Sequence, residues 1–391
     1  MQMIYLNNGA TSWPKPSCVC EAVQACLNDT PDSQFRGGTS ILKKDTQELC
    51  RDKLGDLLGI RDTQRIFFTS GATESMNTVL LGLDFGSDDS SIIVTQTEHN
   101  SVLRPIMNHD ALKTHPIEIV QCTSDGEISP KALSDVMMRL KLKNKKASAI
   151  IVNHCSNVTG YVQNMEMISD FAMKNHLMLI VDLSQSAGCI PVNIDKWRAD
   201  AAVFTGHKSL FGMQGTGGFY VREGLKLRPL KYGGTGRNSR QLIYTDDYEY
   251  EAGTQNMPGI HSLLAGVEFI LNTGIHTIQE KENHLMGILY DGLSNIDGIK
   301  VYGSAEKCKG PVMSFNFDGL KASDAAYILQ SGYDIIVRAG LHCSPLIHEA
   351  MGTVDSGTVR VSISYMTEES DIRIILDAIE QIAASLKGAN R

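Results

Sequence analysis

Apolar and polar positions along this chain follow two rhythms. Short, nearly continuous apolar runs predict buried strands over 65–69, 91–95, 117–121, 147–153, 177–181, 201–204 and 217–221. Apolar residues at helical spacing predict helices over 17–28, 43–58, 74–83, 130–142, 165–175, 261–272 and 275–296. The alternation implies an α/β architecture with a large, mostly parallel sheet. After residue 261 the rhythm changes to long helices, strands near 312–317 and 359–364, and a closing helix over 368–386. This change predicts a large sheet domain over 13–260 and a smaller α+β domain over 261–391, with residues 1–12 packing on the smaller one.

Composition narrows the picture without naming a reaction. A length of 391 residues, 42% apolar and 20% charged, suits two or three folded domains and not a disordered chain, fibre or repeat array. The 36 basic and 44 acidic residues leave a net charge of −8, which points away from nucleic acid as the main partner. Neither a long apolar run nor a secretion signal is legible in MQMIYLNNGATSWPKP or beyond it, so the expectation is a cytoplasmic protein that does not enter a membrane. Nine cysteines without a CxxC pair predict reduced thiols and no metal site. Cys26, on the stripe Val19, Val23, Cys26, Leu27, is expected in the core, and only Cys343 has neighbours that suggest chemistry.

Three segments carry candidate chemistry. The strand at 66–68 runs into Ser70-Gly71-Ala72-Thr73 and then a helix, an arrangement that cradles an anion or simply caps a helix. Asp182 ends another strand, with Gln185 three residues on. Lys208 follows a third strand in TGHKS. Ligands gather outside the carboxyl ends of open parallel sheets, where all three segments end. An anion cradle, a carboxylate and a lysine match the phosphate, ring nitrogen and aldehyde of pyridoxal phosphate, although a lysine at a strand end is ordinarily just solvated. The glycine-rich GMQGTGG is not GxGxxG, and no GxxxxGK[ST] loop is present, so nucleotide binding lacks support.

The block VDLSQSAG…FTGHKSLFGMQGTGGF, together with TSGATESMN, TEHNSVLRP, NHCSNVTG, YEAGTQN, RAGLHCS and VRVSISYMTEESDI, resembles the class V, fold-type I pyridoxal-phosphate enzymes nearly end to end. The form around Cys343 is similar to the group II cysteine desulfurases and selenocysteine lyases. The resemblance implies that Lys208 forms the Schiff base, Asp182 pairs with the pyridine nitrogen and Gln185 bonds the ring hydroxyl. It implies phosphate binding by Thr73, Thr205 and His207, at the cradle of Gly71 and Ala72. His99 is expected to stack on the ring and assist proton transfer, and Asn157 to lie near the ring hydroxyl and substrate. Arg360 is expected to clamp the substrate carboxylate, with Arg338 as a second substrate-side cation. Cys343 is the implied nucleophile, its thiolate favoured by His99 or Arg360. Thr254 is expected to reach the phosphate of the partner subunit, in a homodimer with shared active sites.

The implied activity is desulfuration of L-cysteine to L-alanine, with a persulfide passed to an acceptor protein. The alternatives are a selenocysteine lyase acting on L-selenocysteine, a cysteine sulfinate desulfinase, another class V activity, and last a catalytically idle binding protein. The chain departs from the family pattern at Gly37-Gly38, where a histidine is common, at Asn7, where an aspartate is common, and at Ser344-Pro345 after Cys343.

Overall fold

A computed structural model describes residues 3–29, 45–87, 89–234, 240, 242–243, 250–304, 306–307 and 309–389. Gly37 and Gly38 lie outside the described residues. After a short strand β1 (Ile4–Tyr5) come helices α1 (Ser17–Asn28) and α2 (Thr46–Leu58). An alternating stretch follows: β2 (Ile66–Thr69), α3 (Ala72–Gly82), β3 (Ser91–Thr95), α4 (Asn100–Asn108), β4 (Ile117–Val120) and α5 (Pro130–Leu142). It continues through β5 (Ala147–Asn153), α6 (Met165–Lys174), β6 (Met178–Asp182), α7 (Ile194–Trp197), β7 (Ala201–Thr205) and β8 (Gly217–Val221). Helices α8 (Met257–Thr273) and α9 (Ile275–Asn295) lead to β9 (Ile299–Tyr302), β10 (Val312–Phe317), α10 (Ala322–Tyr333), β11 (Ile335–Ile336) and β12 (Arg338–Gly340). The chain closes with α11 (Ile347–Met351), β13 (Thr358–Ser362) and α12 (Glu369–Ala389).

Seven strands form one sheet in the order β2-β8-β7-β6-β5-β3-β4, with β8 antiparallel to both its neighbours and the other pairings parallel. Both faces are covered, which is why its strands read as unbroken apolar runs. On β5 and β6, Ile150, Val152, Leu179 and Val181 enter one core, while Ile151 and Ile180 enter the core on the opposite face. This period-2 alternation carries on past the apolar residues, so that Asn153 and Asp182, paired in register, share the face of Ile151 and Ile180. A second sheet, β12-β13-β10-β9, is antiparallel and packs with α9, α10 and α12 around a separate core.

Residues 260 and 261, the expected boundary, sit inside α8, whose Ile260, Leu263, Val267 and Ile270 belong to the larger core. The change of core comes along α9: Ile278 packs with the large sheet, and Leu285, Met286, Leu289 and Leu293 with the small one. Composition does not mark this change, because one continuous helix serves both cores. At the other end, β1 pairs with β11, and Ile4 and Leu6 enter the smaller core. Beyond them the chain crosses over, and the Ser12 N–H donates to the carbonyl of His207 in the larger unit.

Helix α1 spans the residues expected, but its outward side is broader than the sequence implies: Val19 is buried, Cys26 only partly, and Leu27 is 69% exposed. The helix lies on the outside of α8, so one narrow stripe suffices. Helix α4, which periodicity did not reveal, opens at His99 and contains Pro105. Among the described residues, no helix is long and apolar enough to cross a membrane.

Candidate active site

The carboxyl ends of β2, β3, β5, β6 and β7 converge on a cavity of about 320 Å³. Its fourth wall comes from the second sheet, through Arg338 on β12 and Arg360 on β13, and its rim from Gly9 and Ala10. Helix α3 supplies one end. It starts after Gly71, whose φ of 149° favours glycine, and no side chain caps it among the described residues. The N–H groups at that start, beside the hydroxyls of Thr73 and Thr205, therefore offer donors to an anion at the positive end of the helix dipole. Gly217 allows the close approach: a Cβ there would stand 2.5 Å from the Cα of Gly71.

Asp182 and Lys208 lie in the floor. Asp182 is buried, and its Oδ1 accepts the Ser184 N–H at 2.8 Å. Burial pushes the Lys208 amine down to about 8; Asp182 opposes this shift, while Arg360 and Arg338 reinforce it. An amine with a depressed pKa at neutral pH is closer to being a nucleophile and a base than a surface lysine is. His99 caps α4, its Nδ1 accepting the Ser101 N–H at 3.0 Å. Burial, aided by Lys208, lowers its pKa to about 4, so the ring is neutral, and with Nδ1 used as acceptor its proton resides on Nε2. His207 is likewise held neutral by burial, at about 4. Gln185 is anchored, its Nε2 donating to the carbonyl of Gly9 at 2.9 Å.

The two arginines sit in register on β12 and β13. Arg360 is almost fully buried, 1% exposed, which excludes the solvated role that its place in an alternating strand also allowed. It donates to the carbonyl of Asn157 at 3.0 Å and to Asn7 Oδ1 at 3.2 Å; burial, then Arg338 beside it, pulls its pKa down to about 9. Arg360 was one of two cations expected to favour the Cys343 thiolate. The structure gives that contact to Arg338, whose Nη2 donates to Cys343 Sγ at 3.3 Å. Arg360 is already committed to Asn157 and Asn7.

Cys343 itself stands outside the cavity lining, on a loop with an unusual backbone. His342 and Cys343 are consecutive non-glycine residues with φ of 51° and 63°. Such residues persist where neighbours over-determine them. The neighbours here are Asn157, whose Nδ2 donates to the His342 carbonyl at 2.7 Å and whose Oδ1 accepts the Ser344 hydroxyl at 2.6 Å, and the N–H of Asn100, which donates to the Cys343 carbonyl at 2.7 Å. Asn157 lines the cavity, and both ends of its amide also bond to the cysteine loop, which leaves its second Nδ2 N–H for the cavity. His342, despite its place beside Cys343, turns its Nε2 to the hydroxyl of Thr358 at 2.9 Å.

Gly71, Ala72, Thr73, His99, Asn157, Asp182, Gln185, Thr205, His207, Lys208, Arg338 and Arg360 are thus gathered around one cavity. Thr254 is not. It lines a separate depression with Thr216 and Asn256, on the other side of Ser70 and Glu74. Sequence reasoning passed over Asn153, Ser184 and Ser101, which also line the cavity, and Glu98, buried behind His99. The register rule that singles out Asp182 at its strand end applies equally to Asn153 on the neighbouring strand. Five buried polar atoms of the lining residues, Asn153 Oδ1, Ser184 Oγ, His207 Nδ1, His342 Nδ1 and Arg360 Nε, have no partner among the described residues. These spare groups, the uncapped helix start and the Asp182–Lys208 floor fit a phosphorylated ring compound that carries an aldehyde.

A doubly wound sheet with an anion cradle at a helix start, and with a carboxylate and a depressed lysine at adjacent strand ends, defines an α/β enzyme of the phosphate-anchored cofactor type. The class V aminotransferase family profile matches residues 4–375, and the chain belongs to that family. Its members work with pyridoxal phosphate. The chain is 30% identical to a probable cysteine desulfurase of Methanothermobacter thermautotrophicus, over 97% of this chain and 94% of the other. It is 30% identical to a probable cysteine desulfurase of Pyrococcus abyssi, over 99% and 96%. The apo structure of a cysteine desulfurase from Thermococcus onnurineus superposes with a TM-score of 0.85 at 28% identity, covering 98% of this chain and 95% of that one. The architecture is the fold type I of these enzymes.

Proposed function

We propose that this chain is a pyridoxal-phosphate-dependent cysteine desulfurase that moves the sulfur of L-cysteine onto Cys343 and releases L-alanine. The observation that carries the reading is the thiol of Cys343, held by a strained loop against Arg338 at the edge of the cavity that contains Lys208 and Asp182. A lysine–aspartate floor alone is common to many reactions of the family, whereas a positioned thiol is required for accepting sulfur.

The residues divide the work by chemistry. The N-terminal N–H groups of α3, Thr73, Thr205 and His207 would hold the phosphate, Asp182 the ring nitrogen, Gln185 the ring edge and His99 the ring face. When bound there, pyridoxal phosphate supplies the electron sink that makes a substrate's Cα–H acidic and its Cβ–S bond labile. Arg360 and Arg338 present two cations to the substrate carboxylate. Lys208 Nζ, depressed to about 8, takes the Cα proton and returns it. His99 Nε2–H is a donor that stays neutral through physiological pH. Cys343 Sγ bonds to the departing sulfur, giving a persulfide on the enzyme and alanine; thiolate, substrate sulfur and proton balance without an added oxidant. A protein thiol then takes the sulfur onward. Thr254, on the far side of the phosphate loop, would serve a second copy's phosphate in a homodimer.

Lys208→Ala is expected to abolish both the coloured adduct with pyridoxal phosphate and turnover; a coloured, active variant overturns the assignment. Cys343→Ser assayed with cysteine, selenocysteine and cysteine sulfinate separates the substrates. Loss with cysteine alone supports a desulfurase, and full retention with cysteine refutes the role of the thiol.

A further inference from the structure

Glu98 is a fully buried carboxyl that the chemistry above does not use, and its bonding is incomplete in a specific way. Its Oε1 accepts the Thr95 hydroxyl at 2.6 Å and the main-chain N–H of Asn153 at 2.8 Å. Its Oε2 is buried and has no partner among the described residues, and neither has Asn153 Oδ1. A carboxylate and a carboxamide oxygen are both acceptors, so neither satisfies the other unless one carries a proton. A carboxylic acid does, and a buried acceptor left without a donor costs about 1–3 kcal/mol. Other unpaired atoms nearby are placed less well: His154 turns its ring to Trp197, and Ser91 lies at the opposite end of β3. Ser184 lines the cavity beyond Asp182, whose Oδ1 accepts its N–H.

We propose that Glu98 is a neutral carboxylic acid that donates its Oε2 proton to Asn153 Oδ1, and that the pair are positioning residues which turn the amide donor of Asn153 toward the cavity beside Asp182. Asn153 lines the cavity and stands in register with Asp182 on the adjacent strand, on the same face. Adjacent strands are about 4.8 Å apart, which makes these two side chains immediate neighbours. The charge environment agrees. Burial, with Asp182 as the acting charge, raises the Glu98 pKa to about 8. His99, which follows it on the same segment, is neutral, and the charges that act on His99 besides Asp182 are Lys208 from the β7 loop and Arg338 and Arg360 from the second sheet. An acid at Glu98 leaves Asp182 as the one anion at that point of the floor, where a second would repel it.

The inference that Asn153 serves the cofactor rests on the reading of the site given above, while the protonation of Glu98 is tested independently of it. The first measurement is the infrared difference between the full-length protein and Glu98→Gln at neutral pH, without cofactor. A carbonyl band of a protonated carboxyl, sensitive to deuterium exchange and shifted by Asn153→Ala, is the expected result; carboxylate bands alone overturn the proposal. Glu282, a second buried carboxyl whose pKa burial raises, is present in both samples and cancels. The second measurement is the dissociation constant of pyridoxal phosphate. Glu98→Ala and Asn153→Ala should each weaken binding roughly 3- to 10-fold, the scale of one hydrogen bond. The double variant should be no weaker than either single one, and Glu98→Gln, which keeps a donor, should rescue most of the loss. Additive losses, or no rescue, sink the link between the two residues. If Glu98→Ala does not fold, the infrared comparison and the Glu98→Gln and Asn153→Ala affinities still decide. If no cofactor binds at all, the reading of the site fails while the infrared result stands.

Discussion

Replacing Ser344 by alanine tests how the cysteine loop is held. The hydroxyl of Ser344 is fully buried and donates to Asn157 Oδ1 at 2.6 Å. Its removal leaves that oxygen buried without a donor, which costs about 1–3 kcal/mol. The loop it braces stores a comparable amount: His342 and Cys343 both have left-handed backbones, at about 1–2 kcal/mol each for residues with a Cβ. With one brace gone, the remaining ties include the Asn157 amide on the His342 carbonyl, the Asn100 N–H on the Cys343 carbonyl, and the side-chain bonds of His342 to Thr358 and of Arg338 to Cys343. Local opening should therefore become about 5- to 150-fold more frequent, the factor that corresponds to 1–3 kcal/mol. Hydrogen exchange of residues 341–346 reads this directly, and desulfuration of cysteine should fall as Cys343 spends more time out of place. The visible band of the bound cofactor should remain, because the Lys208–Asp182 floor is untouched. Unchanged protection of the loop in a variant that loses only global stability would refute the reasoning, since the bond would then brace the fold and not the loop.

Other expectations follow from the charges around the cavity. The Lys208 pKa lies near 8 in the folded chain against an ordinary 10.5, so folding sheds a proton between those values and the stability of the cofactor-free chain rises as pH rises through that window. At pH 7 the buried ammonium costs about 3 kcal/mol, so Lys208→Met should raise the urea midpoint of the cofactor-free protein, with the gap closing near pH 10.5; an equal gap at both pH values contradicts this. Nitrogen NMR should find His99 neutral at pH 6 and protonated on Nε2; a midpoint near its ordinary 6.5 contradicts the burial argument. Arg338→Ala removes the guanidinium that touches Cys343, and persulfide formation from cysteine should slow by at least about tenfold, the worth of one charge-assisted hydrogen bond. A wild-type rate of sulfide release in the presence of a thiol reductant would show that the contact is idle.

Much of the frame was legible in the chain itself. Strands such as β3, β5 and β8 and helices such as α1 and α5 fall on the residues that periodicity indicates, because local patterns of burial determine them. Asp182 and Lys208 were recognisable as residues just past buried strands, and TSGATES as a helix start, so one end of the cavity is encoded locally. Elements with weak or interrupted patterns were not legible. Helix α4 carries a proline, α10 shows its apolar face only against the small sheet, and β11 and β12 are too short to have a period.

Assignments that depend on which side chain meets which were decided only by the tertiary structure. From sequence, His99 and Arg360 were the cations expected to favour the Cys343 thiolate, and Arg338 was placed on the substrate side. Folding commits Arg360 to Asn157 and Asn7, keeps His99 neutral, and leaves Arg338 on the thiol. Asn157 was expected near the ring hydroxyl and substrate, and only folding joins both ends of its amide to the loop at Cys343. The physical reason is the same in each case. A period along the chain records which face is apolar, but a buried polar atom takes its partner from whatever segment folding brings within about 3 Å of it, and those segments here lie up to 353 residues apart.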